Sequence, residues 1–168
     1  AAPDPLALVP SADENGHGTF LASVAAGGED PDQDFTGAAP RASIAIVKLK
    51  PAKAYLRDFY LIREGADAYQ ENDIMMGVAY LLHLARRFSM PLVICLGLGT
   101  NQGSHVGKSP LGLYLDDINI YAGTAVITAA GNETGYGHHY RAVTRPEETL
   151  QTVELNVGEK DSGFSMEF

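Results

Sequence analysis

Tryptophan is absent, cysteine occurs once, and lysine plus arginine number 12 against 21 aspartates and glutamates in 168 residues. A lone Cys95 cannot form an internal disulfide and says little about redox compartment. The net charge of −9 argues against nucleic acid and anionic membranes as partners, because both are met by basic surface. No apolar run approaches the ~20 residues that span a bilayer, and no signal peptide is expected. Zinc spacing is missing too. His105, His138 and His139 match no metal pattern, and adjacent histidines point in different directions, so they read as solvated loop residues. The glycines at 97 and 99 do not extend to a nucleotide-binding fingerprint, because residue 102 is Gln and no Lys-Ser/Thr follows.

What is present is a chain 45% hydrophobic and 20% charged, long enough for one domain with its own core. Residues 1–12, with three prolines, read as an irregular lead-in. Phe20, Leu21 and Val24 fall at helical spacing, and Gly27-Gly28 is a natural stop. The acidic stretch 29–34 (EDPDQD) reads as a solvated loop. Its carboxylates would also suit calcium, but no cofactor is required. Residues 42–50 (ASIAIVKLK) alternate and are β-branched, which predicts a buried strand. Asp73 suits an N-cap for a helix over 74–88, with Ile74, Val78, Leu81, Leu82 and Ala85 on one face. MPLVICLGLG (90–99) is a short apolar strand ending in glycines. Ser109-Pro110 fits N-cap then N1 of a helix running to about Ala122, and GTAVITAAGN (123–132) is a third strand.

This alternation of helix and strand predicts an α/β fold, a parallel sheet with helices on both faces. In such sheets ligands bind in the loops beyond the carboxyl ends of the strands. Here those loops are GLGTNQGSH and AAGNETGYGHH. After about Tyr140 the helical period disappears. TVELNV and FSMEF alternate around the turn GEKDSG, which predicts antiparallel β structure.

Three features could carry chemistry. His17 lies at a helix start, where the positive end of the helix dipole disfavours an imidazolium, and so suits a base. Asn132 follows an apolar strand, where its amide could donate to a developing oxyanion. It also suits an ordinary turn. Gly97-Leu98-Gly99 ends a strand with little side-chain bulk, which lets an extended peptide pair with its backbone.

Taken in order, GHGTFLASVAAG (16–27), GAAPRASIAIVKL (37–49), LVICLGLG (92–99) and AVITAAGNE (125–133) resemble four successive stations of the subtilisin-like serine proteases. The resemblance implies a partial three-layer subtilisin-like fold. It implies His17 as general base, Asn132 as oxyanion donor, and Gly97, Leu98 and Gly99 lining the substrate cleft, with glycine at 97 where the family usually has serine. AYLRDFYLIREGADAYQENDIMMGVAYLL (54–82), LGTNQGSHVG (98–107) and VELNVGEKDSGFSMEF (153–168) further resemble the Csp-type subtilases of spore-forming bacteria. Members of that branch activate a cortex-lytic enzyme precursor, and some are inactive. A β-rich, jelly-roll-like insert follows their AAGN segment. That divides the chain into a partial catalytic domain (1–140) and the opening strands of the insert (141–168). The partner implied is a protein or peptide substrate, and the location extracellular or spore-associated.

Two family parts have no counterpart. The triad aspartate belongs on a strand before the histidine; Asp4 sits between prolines and Asp13 is too close to His17. The nucleophile belongs in a G-T-S motif, and neither Ser162 nor Ser165 has that context. The expectation is a fragment of a protease, inactive alone and prone to self-association through unpaired sheet. The alternatives are a pseudoprotease acting as a binding or signalling module, and an α/β domain binding a small molecule.

Overall fold

The computed structural model describes residues 4–143, 145–147, 149–159, 161 and 163–166. Its elements are α1 (Pro5–Leu8), α2 (His17–Ala26), α3 (Ala54–Phe59), α4 (Glu71–Phe88), β1 (Leu92–Leu96), α5 (Pro110–Asn119) and β2 (Thr124–Thr128). β1 and β2 pair in parallel, with Leu92 opposite Thr124 and Leu96 opposite Thr128. The α5 crossover joins them, as a parallel pair requires.

The core follows the apolar stripe of α4. Val78, Ile94 and Ile118 are buried together, with Leu81, Leu82, Leu92, Leu96, Tyr114, Leu115 and Val126 packed around them. Alternation along β1 sends Leu92, Ile94 and Leu96 toward α4 and α5, and turns Val93 and Cys95 the other way. Gly97 continues that second face, and a Cβ there would run into Leu21 of α2. Both sheet-packed helices, α4 and α5, therefore lie on one face, and α2 approaches the other only past the end of β1, at Gly97. The rest of the second face is open: Val93 is 71% exposed and Ile127 57%. The chain exposes 14080 Å², whereas a compact monomer of 17.9 kDa exposes about 8,000 Å².

Local chemistry explains the boundaries. α5 starts as expected: the Ser109 hydroxyl accepts from Gly112 N–H at 3.1 Å and Pro110 occupies N1. It ends at Asn119 rather than Ala122, and the Asn119 side chain accepts from Val126 N–H at 2.8 Å, tying the helix to β2. α4 begins at Glu71 with Gln70 as N-cap. Asp73, expected as the cap, lies in the first turn and pairs with Lys50 at 3.4 Å, where an acid complements the helix dipole.

The predicted strand over 42–50 is not one in the structure. Val47 lies against Gly77 of α4, and Lys48 reaches the Ala12 carbonyl at 2.5 Å. Ile44 and Ile46 are exposed. The alternation is real, but a strand needs a hydrogen-bonded neighbour, and among the described residues this segment has none. The same reason applies after β2. TVELNV forms no strand, only the turn closed by Asp161 N–H to the Gly158 carbonyl at 3.0 Å follows it, and the end of FSMEF lies outside the described residues. The lead-in contains one short helix, α1, that the proline count did not predict.

Candidate active site

α2 begins with a preformed cap. Gly16 adopts a left-handed φ of 86°, a conformation glycine reaches without cost, and so it cannot cap through a side chain. Asp13 supplies the acceptor instead. Its Oδ1 takes the N–H groups of Asn15 at 3.0 Å and Gly16 at 2.8 Å. Its Oδ2 takes Thr19 N–H at 3.0 Å and the Thr19 hydroxyl at 2.5 Å. The Thr19 hydroxyl, then these N–H groups, hold the Asp13 carboxyl well below its ordinary range. Asn15 Oδ1 accepts from His17 N–H at 3.3 Å, and its amide donates to Asp67 at 3.1 Å. The residue set aside as too close to be the triad aspartate thus shapes the turn that presents His17.

His17 is the first residue of α2, and its Nε2 lies 3.1 Å from the Gly97 carbonyl oxygen. A carbonyl only accepts, so in this arrangement Nε2 carries the proton and Nδ1 holds the lone pair. Gly97 has to be small. A Cβ would collide with Leu21 Cδ1 and lie 3.2 Å from His17 Nε2. Leu21 fills the space that a serine at this position would need. Gly97 and Leu98 are half-buried and Gly99 is exposed, with open space around its Cβ direction. Among the described residues the backbone of Leu98 and Gly99 makes no hydrogen bond to a neighbouring strand, so those groups are free to pair with an extended chain.

Asn132 lies beyond β2. Ala129 N–H donates to the Leu96 carbonyl at 3.3 Å, carrying the pairing one step past the strands. Gly131, at φ 93°, then turns the chain and leaves Asn132 exposed. Among the described residues its side-chain amide makes no hydrogen bond. His17 and Gly97 are in direct contact, and Asn132 sits on the adjoining loop at the same end of the sheet. A hollow lined by Leu82, Arg86, Pro91, Tyr121 and Gly123 lies at the opposite, amino-terminal end of the strands, away from this chemistry.

Sequence reasoning missed a group that joins the two loops. The Asn101 amide donates to Glu133 Oε2 and lies 3.1 Å from His138 Nδ1, which is 3.4 Å from the same Glu133 oxygen. Asn101, then His138, hold the Glu133 carboxyl below its ordinary range. The rings of His105 and His139, also from the two loops, meet at a tilt with centroids 4.2 Å apart. No sequence spacing signals this group, because its members come from two loops. In the acidic stretch, Asp30 Oδ1 accepts from Asp32 and Gln33 N–H groups of its own turn. Among the described residues no group of three or more His, Cys, Asp or Glu is placed to hold a metal ion. Ser165 is exposed, and Ser162 lies outside the described residues.

At the carboxyl end of a parallel pair of strands, a histidine at a helix start thus meets a glycine-rich strand end. The model of the subtilase family, peptidase S8, matches residues 4–158. The chain belongs to the subtilase family. Its structure is similar to that of the CspB protease of Clostridium perfringens, with a TM-score of 0.64 and 32% identity over 79% of this chain. The match spans 26% of that protease. No curated protein matches the chain. No helix among the described residues is long and apolar enough to cross a membrane.

Proposed function

We propose that this chain is the middle of a subtilisin-like serine endopeptidase domain. His17 is its general base, Asn132 its oxyanion donor, and Gly97-Leu98-Gly99 the edge that pairs with the substrate backbone. The observation that carries this reading is the His17–Gly97 contact at the carboxyl end of β1, in a chain matching the subtilase family over residues 4–158.

The reaction is acyl transfer. A serine supplied from outside this sequence attacks the scissile carbonyl, His17 accepts its proton and later returns it to the leaving amine. The Asn132 amide donates to the oxyanion. For this, His17 must give up its Gly97 bond and present an unprotonated Nε2, which an aspartate accepting from Nδ1 would enforce. The 168 residues alone therefore do not hydrolyse peptides. The exposed sheet face at Val93 and Ile127 favours self-association of the isolated chain, and light scattering reads it as a mass above the monomer. The resemblance of residues 54–82, 98–107 and 153–168 to the Csp-type subtilases favours an extracellular or spore-associated setting, with a cortex-lytic enzyme precursor as substrate.

The test is peptide cleavage by the full-length protein. His17→Ala should abolish turnover, and Asn132→Ala should lower kcat by roughly 10²–10³-fold with little change in KM. Full turnover by His17→Ala overturns the assignment. A wild-type full-length protein that binds the substrate without cleaving it would support the pseudoprotease reading, which the Nε2–carbonyl bond of His17 also fits.

A further inference from the structure

We propose that Asp67 is a positioning residue for His17, acting through the side chain of Asn15. The catalytic half rests on the reading of His17 as general base; the link itself does not.

His17 opens α2, so its backbone N–H lies in the first turn and has no carbonyl one turn back to bond. Asn15 Oδ1 takes it, at 3.3 Å. This bond orients the Asn15 amide. With Oδ1 committed to an N–H, Nδ2 faces away and donates to Asp67 Oδ2 at 3.1 Å. The reverse orientation would set oxygen against carboxylate and NH2 against N–H, so both partners select the same one. One planar group thus accepts from the His17 backbone and donates to Asp67. Asp13 caps the same turn from within it, through Asn15, Gly16 and Thr19. Those bonds set the shape of the turn but do not fix it against the rest of the chain. Asp67, 52 residues away in sequence, does.

Asp67 stands on a held segment. The carbonyl of the next residue, Ala68, accepts from the N–H of buried Ala52 at 2.8 Å. Lys50 pairs with Asp73 in the first turn of α4 at 3.4 Å, and Lys48 reaches the Ala12 carbonyl. Residues 48–52 and 67–73 thus form a bracket tied to α4, and it holds the 12–15 turn at Ala12 and at Asn15. α2 needs such support because none of its residues is buried. Its carboxyl end is tied by the N–H groups of Ala38 and Ala39, which donate to Val24 and Ala25 at 3.0 and 2.8 Å. Its amino end, which carries His17, takes its direction from the turn. A tilt there moves the imidazole relative to the reacting atoms and leaves the substrate edge at 97–99 in place. Loss of the link therefore falls on kcat and spares KM.

The experiment uses the full-length protein, with peptide cleavage and amide hydrogen exchange of residues 15–20 as readouts. Asp67→Ala should lower kcat about tenfold with KM nearly unchanged, and should speed exchange at His17 by about three- to tenfold. Because Asn15 and Asp67 are both exposed, Tm should move by less than about 2 °C. Asp67→Asn, whose Oδ1 still accepts from Asn15, should retain most of the turnover. In an Asn15→Ala background, Asp67→Ala should change nothing further. Unchanged exchange at His17 in Asp67→Ala overturns the link. Equal losses in Asp67→Asn and Asp67→Ala assign the effect to charge and overturn the route through Asn15. A kcat loss that comes with a Tm fall of several degrees makes the bond structural and overturns the positioning role, as does faster exchange with kcat intact. A wild type that cleaves nothing overturns the catalytic half and leaves the link to the exchange result. Exchange as expected with full turnover by His17→Ala leaves the link standing and overturns the assignment of His17 as base.

Discussion

Replacing Gly97 by alanine puts one methyl group where α2 meets the end of β1. The added Cβ collides with Leu21 Cδ1, stands 3.6 Å from Leu21 Cγ and 3.2 Å from His17 Nε2. Two responses are open. Leu21 can leave its rotamer, or α2 can withdraw from the end of β1 and lengthen the 3.1 Å bond between His17 and the Gly97 carbonyl. Overpacking of this kind costs about 1–3 kcal/mol, and in a chain of this size each kcal/mol lowers Tm by about 2–4 °C. The expected drop is therefore roughly 2–12 °C by thermal melting. Trimming Leu21 removes the obstruction, so Leu21→Ala combined with Gly97→Ala should be less destabilising than the sum of the two, by about 1–3 kcal/mol. Strict additivity, or an unchanged Tm in Gly97→Ala, would refute the packing of α2 against Gly97 described above.

Ser109→Ala removes the one side-chain bond that caps α5 and should cost about 0.5–2 kcal/mol in a denaturant titration; no loss would mean that Pro110 suffices. Asp13→Asn tests the cap on α2 through its pH dependence. The folded Asp13 carboxyl is more acidic than its ordinary 3.8 because Thr19, Gly16 and Asn15 donate to it. Its stabilisation is complete above the unfolded value and lost as pH falls through the folded one. The Tm gap between wild type and Asp13→Asn should be steady above about pH 5 and close progressively below pH 3.8. A gap independent of pH would contradict the ionised cap.

Much of the fold was legible because its signals are local. The stripe Ile74–Val78–Leu81–Leu82–Ala85, the Ser109-Pro110 start and the apolar runs ending in glycine each specify an element from neighbouring residues. The stretch 42–50 failed because its alternation states a preference for a sheet, while pairing depends on residues distant in sequence. Helix ends shifted for similar reasons: Asp73 has the chemistry of a cap, but Lys50 and the first turn of α4 claim it. In the site, His17, Gly97 and Asn132 were legible as an ordered series. What their neighbours do was not. Asp13 looked like a failed triad member and proves to be the helix cap. His138, read as a solvated histidine, meets Asn101 only because β1 and β2 pair in register.

The central claim is that His17 activates a nucleophile lying outside these residues. Active-site serine labelling by a fluorophosphonate probe, with the modified residue located by mass spectrometry, tests it most directly in the full-length protein. The account predicts labelling of a serine outside residues 1–168, lost in His17→Ala. Labelling of Ser162 or Ser165, or undiminished labelling in His17→Ala, would contradict it.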